Sequence, residues 1–165
     1  MKPFIILCWA IVFLAACGGS SDQKNTANDQ KPEAVSPLIE GAELVKLVIN
    51  GDDLMRYDKK ELRVNAGTNV EITLNHIGEA PLLVMGHNLV ILKQGVDLAE
   101  FAQRAALASD RQYIPQGDEV IAHTKMLGGG ESTTITFGAP AKGSYDFLCS
   151  FPGHSGLMQG KFIVE

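Results

Sequence analysis

The sequence predicts an all-β fold, a Greek-key β-sandwich with one short inserted helix around residues 97–107. Short apolar or alternating runs recur along the chain with turn signals between them, a pattern typical of sandwiches. The run Val70–Asn75 alternates strictly between apolar and polar residues, so one face of this strand is expected to be buried and the other wet. Only residues 97–107 show a convincing helical spacing of apolar side chains.

The strands are expected wherever an apolar or alternating run lies between two turn signals. Polar or glycine-rich turns at 58–60, 65–69 and 128–130 separate several of them. In chain order the expected strands are Leu44–Ile49, Leu62–Val64, Val70–Asn75, Asn88–Leu92, Val120–His123, Ser132–Phe137, Gly143–Cys149 and Lys161–Val164. The helix is expected to be capped by Asp97, because Leu98, Phe101, Ala102 and Ala105 follow at helical spacing.

The N-terminus reads as a lipoprotein signal peptide over residues 1–16. Lys2 supplies a positive start, Phe4–Phe13 is uncharged and too short to span a bilayer, and small residues precede Cys17. A cysteine directly after Leu-Ala-Ala resembles the bacterial lipobox, so lipidation at Cys17 is expected. The alternative is an ordinary signal peptide followed by a chance cysteine. By resemblance to sorting rules, Gly18 favours the outer membrane over the inner one.

Residues 17–40 are expected to form a lipidated N-terminus and a disordered tether, because they contain too few apolar residues to offset chain entropy. About 22 flexible residues reach roughly 25 Å on average. A spacer of untuned length is the alternative. The remaining residues, 41–165, are enough for one domain with a buried core. The formal net charge of −5 argues against nucleic-acid binding, which requires a basic face.

The cysteine count leaves one thiol unexplained. Cys8 is removed with the signal peptide and Cys17 is lipidated, so Cys149 has no partner for an intramolecular disulfide in an oxidising compartment. It is then a metal ligand, an inert buried residue or an intermolecular bridge. His154 and Met158 follow Cys149 at spacings of five and four, which favours the ligand interpretation.

Together with His87, these residues supply a thiolate, two imidazoles and a thioether. This is the donor set of a blue-copper electron-transfer site, in which the methionine is a long, weak axial ligand. Taken singly, His154 could be an ordinary loop residue, Met158 a core filler and His87 a buried structural histidine. Pro152-Gly153 is expected to turn the loop so that His154 approaches the sulfur.

The neighbours of these residues are expected to shape the site. Asn88 is placed to bond the backbone of the loop that carries Cys149. Phe151 is also expected to lie beside the ligands. Amide N–H groups near the Cys149 sulfur would raise the potential by stabilising the charge of the thiolate.

Several segments resemble the azurins of the cupredoxin family, and specifically the lipid-modified azurins of Gram-negative envelopes. The resemblance is carried by the ligand loop Cys149–Met158 and by the segment Val84–Asn88, and three further segments, 50–55, 75–78 and 121–125, support it. It extends over roughly residues 44–165. It implies a cupredoxin-like sandwich with one copper ion held by His87, Cys149 and His154, with Met158 axial and the Gly86 carbonyl as a distant fifth contact.

The resemblance further implies a non-enzymatic protein that transfers one electron at a time as copper cycles between Cu(I) and Cu(II). Its partners would be redox proteins such as c-type cytochromes, copper nitrite reductase or peroxidase-type acceptors, at the periplasmic face of a membrane, and the chain would be a monomer. A copper chaperone or scavenger is the competing interpretation. An oxidase or nitrite reductase needs a second copper site, for which four histidines are too few.

An apolar docking patch is expected around the edge of His154, where it would exclude water and let the ring act as the electron port. Its members are Met55, Met85, Phe151, Pro152, Gly153, Gly156 and Leu157. Ordinary loop packing is the alternative. His76 is expected to be a buried structural histidine, and His123 a surface or hydrogen-bonded residue.

Overall fold

The computed structural model describes residues 36–165. The expected signal peptide, the lipidation site at Cys17 and most of the expected tether lie outside the described residues. Over the described part of the chain, no helix has the length and apolar character needed to cross a bilayer.

Nine strands and two short α-helices make up the described chain, with a single 3₁₀ turn at Ser109–Arg111. The strands are β1 Leu44–Asp52, β2 Arg56–Tyr57, β3 Glu61–Val64, β4 Asn69–His76, β5 Val90–Leu92, β6 Val120–His123, β7 Ser132–Gly138, β8 Gly143–Leu148 and β9 Gln159–Val164. The helices are α1 Leu82–Met85 and α2 Leu98–Ala106. The predicted all-β sandwich is thus confirmed.

The strands form two sheets that pack face to face. One sheet has the order β2-β1-β4-β7, and the other has the order β3-β9-β8-β5-β6. Strands β1 and β4 run parallel, so Asp52 and His76 finish at the same end of the first sheet. The loop between β8 and β9 leaves the second sheet and carries three of the four expected ligands, Cys149, His154 and Met158. This end of the sandwich is called the metal pole below.

Strand β4 shows why the sandwich forms. Its even-numbered residues Val70, Ile72, Leu74 and His76 are buried, whereas the odd-numbered ones are partly exposed, as the alternation predicted. The buried side chains pack on those of the facing sheet in one continuous core, which also contains Cys149 and Met158. Burying such apolar surface stabilises the fold by roughly 25 cal/mol per Å².

Strand β5 is buried on both faces because α2 covers its outer side. Phe101 and Ala105 of α2 pack on Val90 and Leu92, in a second cluster outside the main core. This explains why the expected strand around residues 88–92 looked apolar throughout. The Asp97 side chain accepts a hydrogen bond from Glu100 N, which confirms the predicted cap.

The structure differs from the expectation at several short elements. Helix α1 was missed because it is a single turn, in which Val84 N and Met85 N both donate to Pro81 O; the 3₁₀ turn at Ser109–Arg111 is similarly short. The strand expected from Asn88 begins only at Val90, because the backbone of His87 pairs instead with Leu127. The two-residue strand β2 carries no periodicity that a sequence could reveal.

Residues 36–40, which were expected to belong to the disordered tether, lie against the domain. Ser36 donates from its backbone N to Ile121 O and from its hydroxyl to Gly138 O. The Asn69 side chain accepts from Ile39 N and donates to Ile39 O, so it pairs with this backbone as a strand would. These contacts lie at the end of the sandwich opposite the metal pole, where β4 begins.

The glycine run 128–130 supports the segment that leads to His87. Gly129 N donates to Ala80 O and Gly130 N donates to His76 O. A Cβ on Gly129 would lie 2.4 Å from the backbone carbon of Glu79, a distance that real side chains do not reach. Gly129 is therefore needed for close approach, and not merely for a turn.

We expect Gly129→Ala to lower the free energy of unfolding by about 1–3 kcal/mol, because the backbone around Glu79 must move to make room. Gly156→Ala is the matched control, since a Cβ there meets nothing within 4 Å, and its effect should stay within about 0.5 kcal/mol. Urea unfolding of both variants measures the difference. Equal destabilisation by the two substitutions would contradict this account.

Candidate metal centre

The loop after β8 folds back on itself through its own backbone. Cys149 N donates to Met158 O over 2.9 Å, which closes the loop at its base. Inside it, His154 N donates to Phe151 O and Met158 N donates to His154 O. Gly153 has a φ of 83°, which suits glycine and allows the turn expected at Pro152-Gly153. These backbone hydrogen bonds therefore fix Cys149, His154 and Met158 relative to one another.

His87 reaches the same place from the other side. Its backbone pairs with Leu127 in both directions, and its ring lies between two carbonyl oxygens. Nε2 lies 2.9 Å from Asp52 O and Nδ1 lies 2.9 Å from Gly86 O. A neutral imidazole has only one hydrogen, so one of these contacts joins two lone pairs. With the hydrogen on Nε2 donated to Asp52, Nδ1 directs its lone pair into the site.

The structure brings together three of the expected ligands. Each of the three contributes one donor atom, and these atoms, from His87, Cys149 and His154, lie within 4.8 Å of one another. All three residues are buried. The Cys149 sulfur lies 3.7 Å from His154 Nδ1 and 3.8 Å from Gly86 O. Two imidazole lone pairs, a thiol and a carbonyl oxygen thus face a common centre. This donor set suits copper, which both imidazole and thiolate bind well.

Met158 is fully buried and borders this cluster. Met158 and His87 both lie next to Gly51. A Cβ on Gly51 would be 2.9 Å from His87 Cδ2 and 3.2 Å from Met158 Cε. Gly51 is itself buried at the end of β1. Its missing side chain therefore gives His87 and Met158 the space that they occupy.

Asn88 joins the two ligand-bearing segments. Its side-chain oxygen accepts from Ser150 N over 2.9 Å, and its amide donates to Ser150 Oγ over 2.8 Å. Both residues are buried, so no water competes for these bonds. The contact to the loop backbone is the one that the sequence led us to expect of Asn88.

Burial keeps the candidate ligands neutral in the absence of a metal. It raises the pKa of the Cys149 thiol to about 11, although backbone N–H groups of Asn88 and Phe151 act in the opposite direction by bonding the sulfur. Burial lowers the pKa of His154 to about 4, helped by the nearby His87 and His76. It also lowers the pKa of His87. Neutral imidazoles have the free lone pairs that a metal needs.

His76 is buried and hydrogen-bonded, as expected. Its ring stacks on that of His87 with the centroids 4.1 Å apart. Gly78 N donates to Nδ1, which leaves Nε2 to donate to Met85 O over 2.8 Å. His123 is partly buried, and its ring nitrogen lies 3.1 Å from Thr124 O. Neither histidine contributes a donor atom to the cluster of three.

The proposed docking residues differ in exposure. Pro152, Gly153, Gly156 and Leu157 are exposed, whereas Met55, Met85 and Phe151 are partly buried. The Phe151 ring lies 4.7 Å from that of His154. His154 itself is only 3% exposed. The loop therefore surrounds the ring with apolar surface and leaves little of it open to water.

Sequence reasoning missed several residues at this pole. Gly51 was noted only as part of the segment 50–55 that carries the resemblance, and Tyr57 was given no role. Helix α1 exposes Leu83 and Val84, whose side chains are 86% and 64% accessible. Lys60, which the sequence placed in a turn, donates from Nζ to the carbonyl of Leu157 in the ligand loop. No local pattern reveals these contacts, because each depends on which strands become neighbours.

The metal-free protein should become less stable as the pH falls from about 6.5 to about 4. In this range the unfolded chain protonates His154 at its ordinary pKa, whereas the folded chain does not until about 4, so protons favour unfolding. The loss due to His154 is about 1 kcal/mol per pH unit. Urea unfolding at several pH values measures it.

The His154→Gln variant should lose part of this pH dependence, whereas His123→Gln should retain it. His123 is the matched control because it lies outside the cluster of donor atoms. An unchanged pH dependence in His154→Gln would show that the buried imidazole is not its source.

Comparison with known proteins agrees with the donor set. Residues 43–165 match the family model described as copper binding proteins, plastocyanin/azurin family. The chain is 44% identical over 117 residues to azurin of Bordetella pertussis, covering 68% of this chain and 78% of that protein. It is 40% identical over 121 residues to outer membrane protein H.8 of Neisseria gonorrhoeae, covering 70% of this chain and 65% of that protein.

Solved structures give the same result. Dithionite-reduced auracyanin of Roseiflexus castenholzii superimposes with a TM-score of 0.66 at 38% identity, covering 76% of this chain and 99% of that one. An azurin of Methylomonas sp. strain J has a TM-score of 0.66 at 31% identity, covering 73% and 97%. The chain therefore belongs to the plastocyanin/azurin family of copper-binding proteins, which transfer electrons and are not enzymes.

Proposed function

We propose that this protein carries single electrons between redox proteins at the periplasmic face of a membrane, through one type 1 copper site. The observation that carries the proposal is the buried cluster of one thiol and two imidazoles whose donor atoms lie within 4.8 Å of one another. When bound there, copper supplies the Cu(I)/Cu(II) couple, which thiolate and imidazole ligands support in both states.

Copper would be held by His87 Nδ1, Cys149 Sγ and His154 Nδ1, with the Met158 sulfur as a weaker fourth ligand. The Gly86 carbonyl is the proposed distant fifth contact. The 3.7 Å and 3.8 Å separations of the Cys149 sulfur from His154 Nδ1 and Gly86 O support this assignment. So does the complete burial of Met158 beside His87.

The rigidity of the loop favours electron transfer over copper delivery. The base of the loop is closed by Cys149 N and Met158 O, and Asn88 ties Ser150 to the opposite segment. Groups that are already fixed need not rearrange when the charge of the site changes. A protein that delivers copper needs an open site from which the ion can leave, and these donor atoms are buried.

The docking patch is proposed as the contact surface for redox partners. Its exposed members lie in the loop that surrounds His154, so a partner seated there would be close to this ring. Leu83 and Val84 of α1 extend the apolar surface next to Met85. Apolar patches rimmed by polar residues mark interaction sites on soluble domains. The proposed partners are c-type cytochromes, copper nitrite reductase and peroxidase-type acceptors.

A lipid anchor at Cys17 is the proposed means of holding the domain at the membrane, with the outer membrane favoured. The lipobox-like sequence supports the anchor. The relative from Neisseria gonorrhoeae is named an outer membrane protein, which supports the location. Residues up to 35 would then connect the anchor to the domain.

We expect one equivalent of Cu(II), added to a soluble form that begins after Cys17, to produce an intense blue charge-transfer band and a narrow parallel EPR hyperfine splitting. The covalent bond to the Cys149 thiolate is the expected source, so Cys149→Ser should abolish both features. His123→Gln is the control and should retain both. A pale copper signal of ordinary tetragonal type in the unmodified chain would overturn the proposal and favour copper delivery.

We expect Met85→Lys to slow electron exchange with a c-type cytochrome by about tenfold or more, because the patch must exclude water on docking and a lysine keeps it hydrated. Stopped-flow mixing measures the rate, and the blue band should stay unchanged. Val48→Lys, on the outer face of β1, is the control for added charge. If Met85→Lys exchanges electrons at the rate of Val48→Lys, the patch is not the docking surface.

A further inference from the structure

Tyr57 is a buried phenol next to the candidate ligands. It lies on the two-residue strand β2, pairs with Gly51 of β1, and is 4% exposed. Its hydroxyl donates to the backbone oxygen of Asn88, and its ring meets that of Phe147 edge-on at 5.8 Å. Tyr57 and Cys149 belong to the same buried cluster.

The phenol has one hydrogen and two acceptors within reach. One acceptor is Asn88 O, which takes the bond in this structure. The other is the Cys149 sulfur in the same buried cluster, where the phenol and two backbone N–H groups all act to lower the pKa of the thiol. Burial, reinforced by the charge of a Cys149 thiolate, raises the pKa of Tyr57 well above its ordinary value, so the hydroxyl keeps its hydrogen.

The residue that Tyr57 bonds is the one that joins the two ligand segments. The Asn88 side chain holds Ser150, directly after Cys149, and the Asn88 backbone N–H faces the sulfur. Tyr57 therefore acts on the sulfur in two ways, through the position of Asn88 and through its own hydroxyl dipole.

We propose that Tyr57 is a positioning residue that raises the reduction potential of the site, by holding Asn88 in place and by sharing its one hydroxyl hydrogen between Asn88 O and the Cys149 thiolate. This inference rests on the proposed electron-transfer function. It assigns to this chain a third polar partner of the sulfur, besides the N–H groups of Asn88 and Phe151.

The direction follows from charge. Reduction adds one electron to the site and takes up no proton at Tyr57, so the thiolate becomes a stronger hydrogen-bond acceptor. A donor next to it stabilises the reduced state more than the oxidised state. The effect is strong here because the groups are buried, where hydrogen bonds to charged atoms are worth more than in water.

Tyr145 provides a matched control for the loss of a buried hydroxyl. It lies on β8 and is 5% exposed. Its hydroxyl donates to the backbone oxygen of Ala141, in the turn before this strand. Its ring packs against Phe162. Tyr57→Phe and Tyr145→Phe each remove one phenolic hydroxyl that bonds a carbonyl, but only the first faces Cys149.

The test compares these two variants in the full chain, kept in detergent. In a redox titration against a reference couple, Tyr57→Phe should shift the equilibrium constant about tenfold towards the oxidised protein. For one electron, this equals a reduction potential about 59 mV lower than that of the unmodified protein. Tyr145→Phe should leave the potential unchanged. Resonance Raman spectroscopy should show a changed Cu–S stretch in Tyr57→Phe alone.

A second readout does not depend on electron transfer. NMR should detect the hydroxyl proton of Tyr57 near Asn88, protected from exchange with solvent, in both the metal-free and the Cu(I)-loaded chain. The chemical shift of this proton should change when Cu(I) binds. If no blue site forms at all, the proposed function fails, whereas the metal-free spectrum still tests the hydrogen bond. An unchanged potential in Tyr57→Phe, or an equal shift in Tyr145→Phe, would overturn the inference.

If Tyr57→Phe does not fold, 3-fluorotyrosine placed at position 57 keeps the hydroxyl and makes it a better donor. The potential should then rise relative to that of the unmodified protein. A potential that stays the same with the fluorinated residue would also overturn the inference.

Discussion

The structure depends on one constraint: a thiol and two imidazoles must be buried together, neutral and aligned, at one pole of a β-sandwich. Burying polar groups costs free energy unless each is paired. Backbone groups supply most of the pairing here, because Asp52 O bonds His87 and N–H groups of Asn88 and Phe151 bond the sulfur. No buried side-chain nitrogen or oxygen among the described residues lacks a partner.

This constraint explains features far from the donor atoms. The parallel pairing of β1 with β4 brings Gly51 and His76 to the same end, one to leave space for the His87 ring and the other to stack on it. Gly129, before β7, admits the backbone of Glu79, which leads towards His87, at a distance that no side chain tolerates. The metal centre is thus a property of the whole sandwich, although the loop of residues 149–158 supplies three of the four candidate ligands.

Local features could be predicted from the sequence and longer-range ones could not. The alternation of β4, the Asp97 cap and the spacing of Cys149, His154 and Met158 are patterns within a few residues. The approach of His87 was expected from its resemblance to a known segment, and not from any spacing. Tyr57 looks like any core aromatic, because its contact with Asn88 joins residues 31 positions apart. Helix α1 is too short to have a period.

The placement of residues 36–39 has a mechanical consequence. The chain enters the domain beside Asn69 and Gly138, and β4 then runs eight residues to reach His76, a length of about 26 Å. Tension applied to the chain ahead of Ser36 would therefore be borne first by the hydrogen bonds of Ser36, next by the pair of bonds between Ile39 and Asn69, and only then by β1. It does not pull directly on the loop of residues 149–158. With the lipid anchor proposed at Cys17, the metal pole would lie at the far end of the domain from the point of attachment, and tension on the chain before Ser36 would leave the spacing of the donor atoms unchanged.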